Sequence, residues 1–181
     1  MKIEKLDLLL RELLDKSSEL DKVDFEATIE RFIGFLSKKI ENTRSIEEVF
    51  TPLNSVAHSE PIFVKGIRFI SLCEHHLVPF FGFVNIAIIP EKKIAGLSKY
   101  ADLVEYYSNS LQIQERFTTQ IGNKIHEVLD SQGVYIKVVG NHICAEVGEV
   151  KNNISELITT HSTGLYSMDG LLREEALKHF S

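Results

Sequence analysis

The stretch Ser71-Leu72-Cys73-Glu74-His75-His76-Leu77-Val78-Pro79-Phe80 constrains this chain more than any other. It places a thiol, a carboxyl and two imidazoles in consecutive positions, between two apolar runs, residues 62–70 and 81–89, that read as strands. The simplest pairing is an antiparallel hairpin whose connection carries the reactive groups. Cys73 and His76 have metal-ligand spacing, and the second cysteine, Cys144, lies far downstream beside His142. Two ligands from one turn and a third from a distant segment describe a metal site with one position open. A closed structural zinc site uses four protein ligands, whereas three leave room for a reactive water.

Composition narrows the class. A length of 181 residues suits one domain with an added helical arm, here placed at 1–42 ahead of a catalytic domain over 43–181. The hydrophobic fraction of 44% supports a sizeable core. The net charge of −6 argues against a nucleic-acid-binding surface and against an acidic-membrane partner. No run approaches the roughly 18 apolar residues of a membrane span. The N-terminal leucines are cut by Arg11 and Glu12, which suits an amphipathic helix and not a signal peptide. In a cytoplasmic chain of this kind, two cysteines beside histidines are thiolates for a metal before they are a disulfide.

Periodicity predicts a helix over 3–16, and a second after an Asp24 N-cap with Phe25, Ile29, Phe32, Ile33, Phe35 and Leu36 as its stripe. Pro52 and Pro61 break the mixed segment that follows. Beyond the hairpin, Ser98 is the expected N-cap of a helix through Leu103, Val104, Tyr107 and Leu111. A further helix starts near Gln114 and carries Phe117, Ile121, Ile125, Val128 and Leu129. A strand over 134–139 leads to His142 and Cys144, and another is expected over roughly 145–151. Residues 154–162 are ambiguous, and a short helix covers 170–179. The order implies an α+β fold: an antiparallel sheet of about four strands with helices on one face, the other face needing cover from an oligomer.

The ten-residue turn, together with Gly96-Leu97-Ser98-Lys99, Gln112-Ile113-Gln114-Glu115-Arg116 and His142-Ile143-Cys144, resembles GTP cyclohydrolase I in order and spacing. The similarity runs from about residue 25 to the end. It implies a tunnelling fold, a toroidal homodecamer with active sites between subunits, and a zinc cofactor on Cys73, His76 and Cys144. It further implies catalytic roles for His75 and His142, purine recognition by Gln114 and Glu115, and ribose or phosphate contacts from Ser98 and Lys99. The implied reaction is attack on carbon 8 of a guanine, protonation of nitrogen 7 by an imidazolium, ring opening to a formamide and release of formate. Glu115 can accept hydrogen bonds from the 2-amino group and ring N–H that guanine has and adenine lacks. Glu74 reads as structural, and His58, His126 and His179 as surface histidines. A nitrile reductase of the queuosine pathway or a pterin synthase fits the Cys-Glu-His-His turn poorly.

The chain departs from the family pattern where the triphosphate is held. Arg31 is kept, but Gly34 stands where a lysine is expected, Asp102 replaces an arginine three residues after Lys99, and Gly148 replaces an arginine after the His-x-Cys motif. The pattern's Thr-Ser near the end becomes Thr160-His161. A close phosphate–cation pair is worth about 4 kcal/mol in raw Coulomb terms near a protein surface. Losing three and adding an acid weakens triphosphate binding roughly a thousandfold or more. The expectation is therefore a zinc-dependent cyclohydrolase for a guanine-type purine without a triphosphate: guanosine, GMP, guanine or a modified guanine. Asp102 and His161 would then meet the altered part of the ligand. The alternatives are conventional conversion of GTP to 7,8-dihydroneopterin triphosphate, with Lys92, Lys93 or Lys151 supplying charge, and a non-catalytic purine- or pterin-binding regulatory homologue.

Overall fold

The computed structural model describes residues 8–13, 22–54, 58–147 and 156–181. The chain divides into two compact units, Met1–Glu41 and Asn42–Ser181. In the first, residues 8–13 (α1) are helical and a long helix α2 spans Lys22–Ile40. Asp24 lies inside α2 and does not cap it. Along α2, Ile29 is buried while Phe32 and Phe35 are exposed. The rest of the helix expected over 3–16 lies outside the described residues.

The second unit opens with a short helix α3 (Ile46–Val49). Its start is set by a reciprocal pair: the Ser45 hydroxyl accepts from the Glu48 N–H, and the Glu48 carboxylate accepts from the Ser45 N–H. There follow β1 (Leu53–Asn54), β2 (Ile62–Cys73), β3 (Pro79–Ile89), β4 (Lys93–Ile94), α4 (Leu97–Ser108), β5 (Leu111–Gln112), α5 (Gln114–Leu129), β6 (Gly133–His142), α6 (Ile143–Val147), β7 (Leu157–Gly164), α7 (Leu165–Met168) and α8 (Gly170–His179). The main sheet has the order β5-β2-β3-β6-β7. Its four long strands are antiparallel, as expected, and the two-residue β5 adds a parallel fifth against Leu72 and Cys73.

Strand alternation sorts the side chains. Phe69, Phe80, Val84, Ile86, Ile88, Val134, Ile136 and Val138 face α4 and α5, packing on Leu103, Val104, Phe117, Ile121, Ile125 and Leu129. The other face is not bare throughout. Ala87, Ile89 and Tyr135 are covered by Tyr166, Ala176 and Phe180 from the C-terminal helices. Nearer the reactive turn, the same face leaves Ile70, Phe81, Phe83 and Ile158 exposed.

Several local expectations are corrected. Gly96, not Ser98, is the N-cap of α4, so Ser98 sits in its first turn. Leu111 lies beyond that helix, in β5. The strand expected over 145–151 is a helix through Val147, where Ala145 and Glu146 favour the helical turn; residues 148–155 lie outside the described residues. The ambiguous segment runs into β7, a strand rich in threonine, serine and histidine that gives no alternating apolar signal. No helix among the described residues is long and apolar enough to cross a membrane.

Candidate metal and active site

The connection between β2 and β3 is a single helical turn closed by a left-handed residue. The Leu77 N–H donates to the Cys73 carbonyl at 2.9 Å, the Cys73 N–H donates to the Val78 carbonyl at 3.0 Å, and Leu77 takes φ 56. In a helical turn, residues three apart share a face, so Cys73 and His76 come together. The Cys73 Sγ lies 3.8 Å from His76 Nδ1 and 4.0 Å from His75 Nδ1. The β6 strand ends at His142, opposite Phe80, and the following turn of α6 delivers Cys144. Ligand atoms of Cys73, His76 and Cys144 all lie within 4.8 Å of one another; His75 is not part of that group.

This donor set fits zinc. Tetrahedral zinc with its usual Zn–S and Zn–N bonds holds sulfur and nitrogen about 3.6 Å apart, close to the Cys73–His76 separation. Burial, and then the neighbouring Cys73, push the Cys144 thiol up. A cation between the two sulfurs removes that repulsion and favours both thiolates.

A polar frame holds the turn. The Glu74 carboxylate accepts from Arg116 at 2.5 Å, and Arg116 also donates to Gln112 Oε1 at 3.0 Å and to the Leu111 carbonyl at 2.8 Å. The Glu74 N–H donates to the Gln112 carbonyl at 3.0 Å. Glu74 therefore ties the turn to the start of α5, a role the residue pattern alone had marked only as structural. Ser71 Oγ donates to the Ser108 carbonyl at 2.8 Å, fixing the end of α4 beneath it.

His142 stacks on Phe80, with centroids 4.7 Å apart and planes 10° from parallel, and its Nε2 lies 2.9 Å from Gln114 Oε1. Burial pushes the His142 imidazole down, and the nearby Glu115 carboxylate opposes that shift. Gln114 is 1% exposed, whereas Glu115 is exposed and its carboxylate accepts no hydrogen bond among the described residues. The structure thus brings Cys73, His75, His76, His142, Cys144, Gln114 and Glu115 to one end of the sheet.

Other anticipated residues stand elsewhere within the chain. Ser98 and Lys99 open α4, whose far end meets Ser71. Ten residues of helix rise put Ser98 about 15 Å along the axis from that contact. Lys99 Nζ is paired with Asp102 at 3.0 Å. His161 is the cross-strand partner of Ile136, six residues down β6 from His142, or roughly 20 Å at strand rise. Its Nε2 lies 2.8 Å from Asn123 Oδ1, and it borders a groove of about 530 Å³ with Tyr135, Thr160, Ser162, Arg173 and Glu174. Arg31 belongs to the first unit and is exposed. Gly34 lies on α2, and Gly148 falls outside the described residues.

Comparison with known proteins agrees with this arrangement. The family model described as GTP cyclohydrolase I matches residues 9–181. A GTP cyclohydrolase 1 of Streptococcus suis is 40% identical over 132 residues, covering 72% of this chain and 71% of its own. One from Clostridium perfringens is 40% identical over 149 residues, covering 76% and 80%. Among solved structures, the apo crystal structure of the archaeosine synthase QueF-Like aligns at TM-score 0.50 and 16% identity, covering 60% of this chain and 97% of that one, a likeness of fold alone. With a matching model over nearly its whole length and relatives at this identity, the chain belongs to the GTP cyclohydrolase I family, and its five-stranded sheet with packed helices is consistent with that family's tunnelling fold.

Proposed function

We propose that this chain is a zinc-dependent hydrolase of cyclic amidine C–N bonds that opens the imidazole ring of a guanine nucleotide at carbon 8, with GTP the substrate its relatives favour. The observation that carries the reading is the meeting of Cys73, His76 and Cys144 with His142 and the open carboxylate of Glu115 at one end of the sheet. Bound to that donor set, zinc would supply an acidified water as nucleophile near neutral pH. His142 or His75 gives a proton to nitrogen 7 as a hydroxyl adds to carbon 8. The C8–N9 bond then breaks to a formamide, and a second water releases formate. Glu115 accepts from the 2-amino group and N1–H of guanine. An adenine would leave that carboxylate unpaired.

The distance between Ser98-Lys99 and the Cys73 turn within one chain supports a homo-oligomer, a decamer by resemblance, in which neighbours complete each site. A second reading concerns the phosphates. Lys99 spends its charge on Asp102, which favours a substrate lacking the triphosphate, such as GMP or guanosine.

Zinc-loaded protein incubated with GTP, GMP, guanosine and guanine, with formate measured, separates these readings. The GTP reading expects GTP to be turned over at least as well as the others; the second expects GMP or guanosine to exceed it. No formate from any guanine compound overturns both. His142→Ala should keep zinc and lose turnover by about 10²–10⁴-fold, while Cys144→Ala should lose the metal. An active His142→Ala protein contradicts the assigned role.

A further inference from the structure

We infer that Gln114 is a positioning residue rather than a contact to the purine: it holds His142 as the Nε2–H tautomer, leaving Nδ1 as the ring atom that exchanges a proton with the substrate. The inference rests on the proposed function only for His142 being the proton-transfer group.

The direction of every hydrogen bond around Gln114 follows from two kinds of acceptor. Its amide nitrogen lies 2.8 Å from the Leu157 carbonyl and 3.3 Å from the Val138 carbonyl. Carbonyls only accept, so this end of the amide is the NH2 group and the other end is the oxygen. The hydroxyls agree. Thr118 Oγ1 donates to the Gln114 main-chain carbonyl at 2.7 Å, which uses its only proton. Thr159 Oγ1, 2.6 Å from Thr118 Oγ1, must therefore donate to it, and so can accept from the Gln114 amide nitrogen at 3.2 Å.

The Gln114 oxygen, 2.9 Å from His142 Nε2, can only accept. His142 Nε2 must donate. A neutral imidazole carries one proton, so its Nδ1 is bare; an imidazolium carries its second proton there. Turning the ring over would leave a buried amide oxygen without a donor, a cost of about 1–3 kcal/mol, and would break nothing else to compensate, since the stack on Phe80 is the same for either face. The gap through which the amide reaches His142 is provided by Gly140, where a Cβ would lie 2.2 Å from the Gln114 oxygen. With both ends of its amide engaged inside the protein and only 1% of the residue exposed, the Gln114 side chain presents no open edge to a base. Glu115, its exposed neighbour, does.

The test is a long-range proton–nitrogen correlation spectrum of the zinc-loaded, full-length protein labelled with 15N-histidine and held well above the usual histidine pKa range. The His142 signals are identified by their loss in His142→Gln. The expected pattern is a protonated Nε2 and an unprotonated Nδ1; a protonated Nδ1 overturns the inference. Gln114→Met, which removes the acceptor, should lose that pattern and lower kcat roughly 10–100-fold with KM little changed. A raised KM with unchanged kcat would make Gln114 a base contact instead. Gln114→Glu keeps an oxygen facing His142 and should retain the Nε2–H pattern. The wild-type spectrum needs no turnover, and its assignment needs only that His142→Gln keeps the other histidine signals in place. An inactive protein would therefore count against the proposed function while the tautomer is still decided.

Discussion

Leu77 is a non-glycine residue with φ 56, in the turn that carries Cys73 and His76. Holding a branched side chain in the left-handed region costs about 1–3 kcal/mol, and Leu77 is 54% exposed, so little packing compensates. Leu77→Gly should unfold in urea at the same or higher midpoint than the parent, and Leu77→Val at a clearly lower one; a glycine variant weaker than the valine one contradicts this strain. His161 gives a pH prediction. Burial pushes its imidazole down, so the folded state binds its proton less well than the unfolded chain. Its contribution to stability is complete above the ordinary histidine value of about 6.5 and is lost as pH falls through the lower folded value. Replacing His161 by Gln should flatten the decline in stability below that range, which urea melts across pH 5–7 would reveal. At this scale the meeting of Cys73 and His76 was legible, because their i, i+3 relation is local. The orientation of Gln114 was not, because it is set by Leu157 and Thr159, more than forty residues away in sequence.

Two glycines decide how the strands and helices approach. At Gly82 a Cβ would meet the Val139 carbonyl oxygen at 1.9 Å, inside the β3–β6 pairing, where the obstacle is backbone and cannot turn aside. Gly82→Ala should cost at least about 1–3 kcal/mol or prevent folding. At Gly122 on α5 the obstacle is instead a side chain, with His161 Cδ2 at 2.6 Å. Gly122→Ala should destabilise by a similar amount, about 1–3 kcal/mol, and His161→Ser in the same chain should restore most of it. Equal losses in the single and double variants would mean that Ile136, at 3.1 Å, is the real obstacle. The hairpin and the α4–α5 pair were legible as elements because their apolar periods are regular. β7 was not: its partner β6 and the α5 side chains Gln114, Thr118 and Asn123 satisfy its polar residues, so it needs no apolar alternation to be a strand.

For the whole molecule, the exposed Ile70, Phe81, Phe83 and Ile158 and the separation of Ser98-Lys99 from the metal turn both support assembly. If each site takes Lys99 from one chain and His142 from another, Lys99→Ala and His142→Ala proteins that are each impaired should regain activity when unfolded and refolded together, to about a quarter of the parent level for a two-chain site. No recovery would place both residues on the same chain's site. An open sheet face was expected from the order of elements, but its extent was not legible, because the C-terminal helices of the same chain cover part of it. The central claim, hydrolysis at carbon 8 by the cluster of Cys73, His76, Cys144 and His142, is tested most directly by 13C spectroscopy of zinc-loaded protein with GTP or GMP labelled at carbon 8. The label should appear in formate with the parent protein and stay out of it with zinc-replete His142→Ala. A label that remains in the intact purine with the parent protein, or reaches formate equally with the variant, would contradict the account.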